Sequence, residues 1–235
     1  MENDKFLQCE TKLTFLLLSF VGGYFGAYTY LLRGGVFCNA QTGNVVLFGM
    51  ALGSMNWGRA LYLLIPISAD CGGAAASEFM GKHMTGWKYL RWDTLLVGFE
   101  LLVAVLLGLL PPEAPDQICQ VALNFICSMQ YNTFRQAEGM PMSTTFCTNH
   151  IRMIGVSLVK DKCHGDQAAG AKWRFHVKMV ISFIIGCVVS TLLCKVYAYK
   201  TISGAAVVLA IVFIRLLYAD LVTERHLYSV LPRGH

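Results

Sequence analysis

The sequence predicts an all-α integral membrane protein: six transmembrane helices plus two short re-entrant, broken helices, arranged as an inverted 3+3 repeat. Three observations lead there. Of 235 residues, 55% are hydrophobic and only 14% charged, whereas soluble domains carry about a quarter charged residues. Six apolar runs approach the ~20 residues needed to cross ~30 Å of hydrocarbon. Residues in the two halves of the chain also correspond at a nearly fixed offset. The same composition excludes disorder, collagen-like repeats and coiled coils, which require low hydrophobicity, periodic glycine or dense charge. The length suits a single membrane domain, residues 1–235.

The first run, Leu13 to Leu32, follows a short segment holding three acids and two lysines. It lacks a cleavage pattern and leads into further spans, so it reads as a first span rather than a signal peptide. Ala60 to Gly81 follows, with Pro66 expected to kink it. Then come Trp92 to Leu110, Ile118 to Glu138, Met179 to Cys194 and Ile202 to Leu221. The fifth run is short and borrows its first turn from Trp173 to Lys178.

Two further stretches, Cys38 to Met55 and Ser143 to Val159, are helix-like but open on polar runs. These are Asn39-Ala40-Gln41-Thr42-Gly43-Asn44 and Thr144-Thr145-Phe146-Cys147-Thr148-Asn149-His150. Either they cross the membrane, making eight spans, or each enters and leaves on one side. With six spans and a cytoplasmic N-terminus, 12 of the 19 basic residues fall inside, four outside and three within membrane segments. Lys5, Lys82, Lys88, Lys160, Lys172 and Arg233 are among those inside. Eight spans would place one of the two dense basic clusters outside, against the positive-inside bias. Six spans with cytoplasmic termini and two re-entrant hairpins is the arrangement expected.

The halves, residues 13–110 and 118–221, match at a set of spaced positions. At an offset of 106, Thr42 meets Thr148, Gly49 meets Gly155, Leu52 meets Leu158, and Phe25 and Tyr28 meet Tyr131 and Phe134. At 113, Gly73, Ser77 and Gly81 meet Gly186, Ser190 and Cys194. Three spans per unit invert the second unit relative to the first, and inverted repeats place binding sites near the bilayer midplane, where discontinuous helices meet. Irregular backbone at that depth must be buried in protein or line a wet cavity.

The side chains expected to serve it are Asn39, Gln41, Thr42, Asn44, Thr144, Thr145, Thr148 and Asn149. Two roles remain open for them: capping alone, since Asn and Thr accept from free N–H groups at helix starts, or capping together with solute contact. His150 and Arg152, in the first turns of the second half-helix, add to the anion preference of helix N-termini. Asp70 and Glu100 fall near the middles of their spans. They are candidates for proton coupling, or for internal ties to Arg152 or Arg215. Arg135 and Glu138, three apart, are expected to form a local pair.

Nine cysteines form no CxxC pair. Cys71, Cys127, Cys187 and Cys194 lie in apolar runs, where cysteine behaves as a small hydrophobe, and all nine are read as reduced and structural, while Cys163-His164 alone is too little for zinc. No metal site, cofactor or nucleic-acid partner is expected.

Gly22-Gly23-Tyr24 and the run from Tyr28 through Arg33-Gly34-Gly35-Val36-Phe37 to Asn39-Ala40-Gln41-Thr42-Gly43-Asn44 resemble the YoaK-like family of bacterial inner-membrane proteins. That family is catalogued as domain of unknown function 1275, and the resemblance covers about Leu13 to Tyr218. It implies a multi-span protein of the bacterial cytoplasmic membrane. It also implies an acidic residue near Gly26 and a Thr-Gly-rich motif in the second half; this chain has Gly26 and Thr148-Asn149-His150 there.

The functional expectation is a permease or channel-like secondary transporter for a small polar or anionic solute, bound at mid-depth between the two half-helices. The alternative is a non-transporting scaffold or sensor. HExxH, GxSxG and a nucleotide-binding loop are absent from the sequence, so an enzyme is not expected and any energy would come from a gradient. The expected partners are the lipid bilayer, the solute and, through the Gly73/Ser77/Gly81 face, a second copy of the chain.

Overall fold

The computed structural model describes residues 6–84, 90–227 and 232; the expectations for Lys5, Lys88 and Arg233 lie outside them. Among the described residues the fold is all-helical: α1 (Lys12–Leu32), α2 (Gln41–Gly53), α3 (Trp57–Met84), α4 (Trp92–Gly108), α5 (Asp116–Thr133), α6 (Thr148–His164), α7 (Gln167–Tyr197) and α8 (Ser203–Tyr218). A small antiparallel hairpin, β1 (Gln136–Ala137) and β2 (Met140–Pro141), follows α5. Among the described residues three helical stretches are long and apolar enough to cross a membrane: Lys12–Leu32, Trp57–Met84 and Gln167–Thr223, the last running from α7 through α8.

Several boundaries differ from the sequence expectation. α3 continues through Pro66 as one 28-residue helix. α7 starts at Gln167, capped by the Asp166 side chain on the Ala169 N–H, and runs unbroken for 31 residues. α5 stops at Thr133 instead of reaching Glu138. Glu138 and Gly139 both take positive φ (48° and 78°), which turns the chain into the hairpin. The expected Arg135–Glu138 pair does not form: Arg135 donates to Glu78 at 3.1 Å, and Glu138 pairs with Lys12.

α1 and α5 lie innermost. α1 packs along α7, and α5 packs along α3. α2 leans on α3, α6 leans on α7, and α4 runs beside α8. The outer faces are apolar: Leu61, Leu64 and Ile65 on α3, Ile181, Ile185 and Val188 on α7, and Val207, Ile211 and Ile214 on α8 are exposed. A soluble monomer rarely shows so continuous an apolar exterior, and it suits a membrane protein.

Glycines bring the helices into backbone contact. A Cβ on Gly23 would stand 2.0 Å from the Phe183 carbonyl oxygen, and one on Gly186 2.0 Å from that of Phe20. On the other side, a Cβ on Gly73 would stand 2.2 Å from the Phe125 oxygen, and Ser77 Oγ lies 2.9 Å from Thr133 Oγ1. The Gly73/Ser77 face is therefore consumed by packing within the chain, so a second copy would need another surface.

The bundle has two distinct polar ends. At one, Arg91 pairs with Glu224, its backbone N–H donates to Asp220 at 3.0 Å, and the Gln8 N–H donates to Glu224 at 2.6 Å. At the other, Arg33 approaches Asp116, Tyr24 donates to the Thr201 carbonyl at 2.6 Å, and Arg59 donates to that of Gly34 at 3.0 Å. All nine cysteines are free thiols. Burial and the nearby Asp93 carboxylate push the Cys9 thiol well above its ordinary pKa, and a thiol held protonated is a poor nucleophile. Iodoacetamide at mildly alkaline pH is therefore expected to modify exposed Cys163 but to spare Cys9 until the protein unfolds, as read by peptide mass spectrometry.

Candidate functional site

The two polar stretches converge on one residue. Gly34 and Gly35, both in the left-handed region (φ 73° and 66°), reverse the chain after α1. The following loop runs back along α1: the Cys38 N–H donates to Thr29 Oγ1 at 3.2 Å, and Asn39 Nδ2 donates to the Gly22 carbonyl at 2.7 Å. α2 starts two residues later. From the opposite end, the chain after β2 also returns to Gly22, where a Cβ would lie 2.7 Å from the Thr144 oxygen and 3.2 Å from Thr145 Cα. α6 starts three residues after Thr145. Gly22 is the eleventh of 21 residues in α1, so the loops leading into α2 and α6 both reach its midpoint. At 1.5 Å per residue, the 13 residues of α2 extend ~20 Å, well short of the ~30 Å of a hydrocarbon core.

Each loop is closed by the same device. Asn44 Nδ2 donates to the Phe37 carbonyl at 2.7 Å, and its Oδ1 accepts from the Phe37 N–H at 3.0 Å. His150 Nε2 lies 2.8 Å from the Ser143 carbonyl. Both contacts reach back seven residues, and both partners correspond at the offset of 106. Asn44 is thus a loop clamp, and Asn39 a tie to α1. Neither caps α2, and the starts of α2 and α6 carry no side-chain cap, whereas Thr11 caps α1 and Asp166 caps α7. The expected capping role is corrected on this point: Asn44 binds loop backbone, Asn39 binds the backbone of α1, and the helix starts are left without a side-chain cap. Replacing Asn44 with leucine leaves the half-buried N–H and carbonyl of Phe37 unpaired. It is expected to cost about 1–3 kcal/mol, read as a lower unfolding midpoint in detergent.

A polar column joins the start of α2 to the Arg33 end. Gln41 Nε2 donates to Asp70 Oδ1 at 3.1 Å and to Asn124 Oδ1 at 2.6 Å, and its Oε1 accepts from Asn44 at 3.1 Å. Asn124 Nδ2 donates to the Gln120 carbonyl at 2.7 Å. Gln120 Nε2 donates to the Tyr62 hydroxyl at 2.5 Å and to the Arg33 carbonyl at 2.7 Å. Three elements therefore meet at Gln41: the start of α2, the middle of α3 and the middle of α5.

On the α6 side the counterpart is a histidine pair. His150 Nδ1 and His176 Nδ1 are 2.7 Å apart, and both residues are buried. The Ser143 carbonyl only accepts, so His150 carries its proton on Nε2. With both rings neutral, its Nδ1 accepts from the Nδ1–H of His176.

The other expected site residues divide clearly. Thr145 is buried beside Gly22. Thr42, Thr148 and Arg152 are exposed and stand outside the polar column. Arg152 donates to half-buried Asn149 at 3.0 Å. Glu100 is fully buried, and neither carboxyl oxygen has a hydrogen-bond partner among the described residues. No tie of Asp70 or Glu100 to Arg152 or Arg215 forms among the described residues. The described residues contain no cluster of three His, Cys, Asp or Glu suited to a metal.

Sequence reading missed Gln120, Asn124, Tyr62 and His176. The signal for the first two was present: two amides four residues apart inside a predicted span share one helix face and require a polar partner there. His176 lies in the turn the fifth span was expected to borrow, and nothing in its spacing pointed to His150.

No curated protein and no solved structure matches the chain. A family model described as "Protein of unknown function (DUF1275)" matches residues 14–215. That match takes in α2 to α7 from end to end, with all but the outermost turn of α1 and α8, and the chain belongs to the DUF1275 family.

Proposed function

We propose that this protein is a bacterial inner-membrane permease or channel-like secondary transporter for a small polar or anionic solute, not an enzyme. One observation carries the reading: the loops that lead into two helices without a side-chain cap, α2 and α6, both touch Gly22 at the midpoint of α1. Free N–H groups and the positive helix end at each start favour an anion or an electron-rich group.

In this reading α1, α3, α4, α5, α7 and α8 cross the bilayer, and α2 and α6 each enter and leave on one side. The Arg91 end gathers Lys12, Lys82, Lys160, Lys162, Lys172 and Arg174, which makes it cytoplasmic under the positive-inside bias. The Arg33 end then faces outward. An inverted repeat is supported by three correspondences. Exchanging α1 with α5, α2 with α6, α3 with α7 and α4 with α8 maps the main helix contacts onto one another. Gly73 and Gly186, matched at an offset of 113, each sit on a phenylalanine carbonyl of the first helix of the other half. The Asn44 and His150 clamps are the third.

A solute coming from outside follows Tyr62, Gln120 and Asn124 to Gln41. It then passes Gly22 to the start of α6 and the His150–His176 pair. Asp70, in contact with Gln41, is the better placed proton-coupling carboxylate; Glu100 is the second candidate. Reconstituted vesicles test the reading with chloride, nitrate, formate, acetate and urea as probes in an osmotic swelling assay. Swelling above that of empty vesicles for at least one probe is expected. Rates equal to empty vesicles for all five would replace this reading with a scaffold or sensor role.

A further inference from the structure

We infer that the outer end of the bundle holds a binding site for a small monocarboxylate, built on the Arg33 guanidinium, with Asp116 as the internal carboxylate that the solute displaces. The inference rests on the transport reading for its purpose, but its chemistry stands on the residues around Arg33.

Arg33 is completely buried, yet its fork of donors is poorly used. Nε donates to the Tyr28 hydroxyl at 3.2 Å, and the Tyr199 ring lies 4.3 Å from the guanidinium carbon. Nη1 reaches the Ala114 carbonyl and Asp116 Oδ1 only at 3.4 Å each, and Nη2 has no partner among the described residues. Charge-assisted pairs normally close to ~2.7–2.9 Å and are often bidentate. The Asp116 side chain is also 38% exposed, so water competes for its charge. A guanidinium removed from water with so weak a counter-charge is under-compensated.

Next to it, Gln120 donates to the Arg33 carbonyl and to Tyr62, while its buried Oε1 has no partner among the described residues. Gln120 heads the column that ends at Gln41, so this place is the outer end of the proposed path. A second guanidinium, Arg59, stacks 4.8 Å from the Tyr62 ring centroid. Two cations on either side of the Tyr62–Gln120 contact attract anions and repel cations. A planar carboxylate matches the arginine fork, and Asp116 already presents that group to Nη1.

The test uses the purified full-length protein in detergent, with its unfolding midpoint followed against sodium acetate at constant ionic strength made up with bulky gluconate. The wild type is expected to gain stability in a saturable way. Asp116→Asn removes the internal competitor and should lower the half-saturating acetate concentration about fivefold, the factor that ~1 kcal/mol for a half-exposed ion pair corresponds to. Arg33→Gln should abolish the saturable response, and Arg33→Lys, which keeps the charge but not the fork, should weaken it. If the Arg33 variants fail to fold, Asp116→Asn still decides. An unchanged or weaker acetate response in that variant would make the Arg33–Asp116 contact purely structural and overturn the inference. Gln41→Leu separates the two readings, because it should retain the acetate response while losing flux. Flux without any acetate response would sink this site alone.

Discussion

Alanine at Gly23, Gly73 or Gly186 is expected to destabilise the protein by at least ~3 kcal/mol at each position, the upper range for overpacked cores. The reason is geometric. At these three crossings a single added carbon would stand 2.0–2.2 Å from a backbone carbonyl oxygen. A flexible side chain in that place would swing aside, but a helix backbone has to move as a body, and the α1–α7 and α3–α5 pairings hold the centre of the fold. Gly49 and Gly155 provide the control. They lie in α2 and α6, where an added methyl would meet nothing within 4 Å, so alanine there should stabilise by about 0.5–1 kcal/mol through its better helix propensity. Unfolding midpoints of the five variants in one detergent measure both effects. Equal behaviour of the two groups would mean that the helix crossings are not as tight as described.

Gln41→Leu is expected to lower solute flux at least tenfold while leaving a folded, inserted protein. Each hydrogen bond Gln41 makes goes to a residue on a different segment of the site: Asp70, Asn124 and Asn44. Leucine has a similar size but no donor, so Asp70 and Asn124 lose the group that aligns them at the start of α2. A polar solute then meets an apolar step whose desolvation cost, about 1–3 kcal/mol per unpaired polar group, accounts for the tenfold factor. Thr42→Leu and Arg152→Leu alter exposed side chains outside the column and should keep flux within about twofold of wild type, well under the ~1.4 kcal/mol that a tenfold change represents. Wild-type rates in Gln41→Leu would remove the column from the pathway.

The parts of this fold that could be read from sequence were those with a local physical signature. A polar run opening an apolar helix marks both α2 and α6, and Gly-x-x-x-Ser spacing at Gly73 and Gly186 marks the tight crossings that the structure contains. What could not be read depended on which segments become neighbours. Asn44 was recognisable as a residue that binds backbone, but whether it would cap α2 or clamp Phe37 depends on the course of the preceding loop. His176 has no significance until α6 lies against α7. The end of α5 is hard to place from sequence because Phe134 and Ala137 carry apolar character past Thr133, and only Gly139 punctuates the chain beyond it. Arg33 counted as one more outer basic residue; only its burial and its half-used fork distinguish it.

Solute-reachable, opposed half-helix starts are the centre of this account, and single-cysteine labelling examines them most directly. Gln41→Cys and Asn149→Cys would be placed separately in a cysteine-free background and exposed to a membrane-impermeant thiol reagent from each face in turn. Labelling of position 41 only from outside and of position 149 only from the cytoplasm is the predicted result. Labelling of both from the same face, or protection of both from either face, would contradict it.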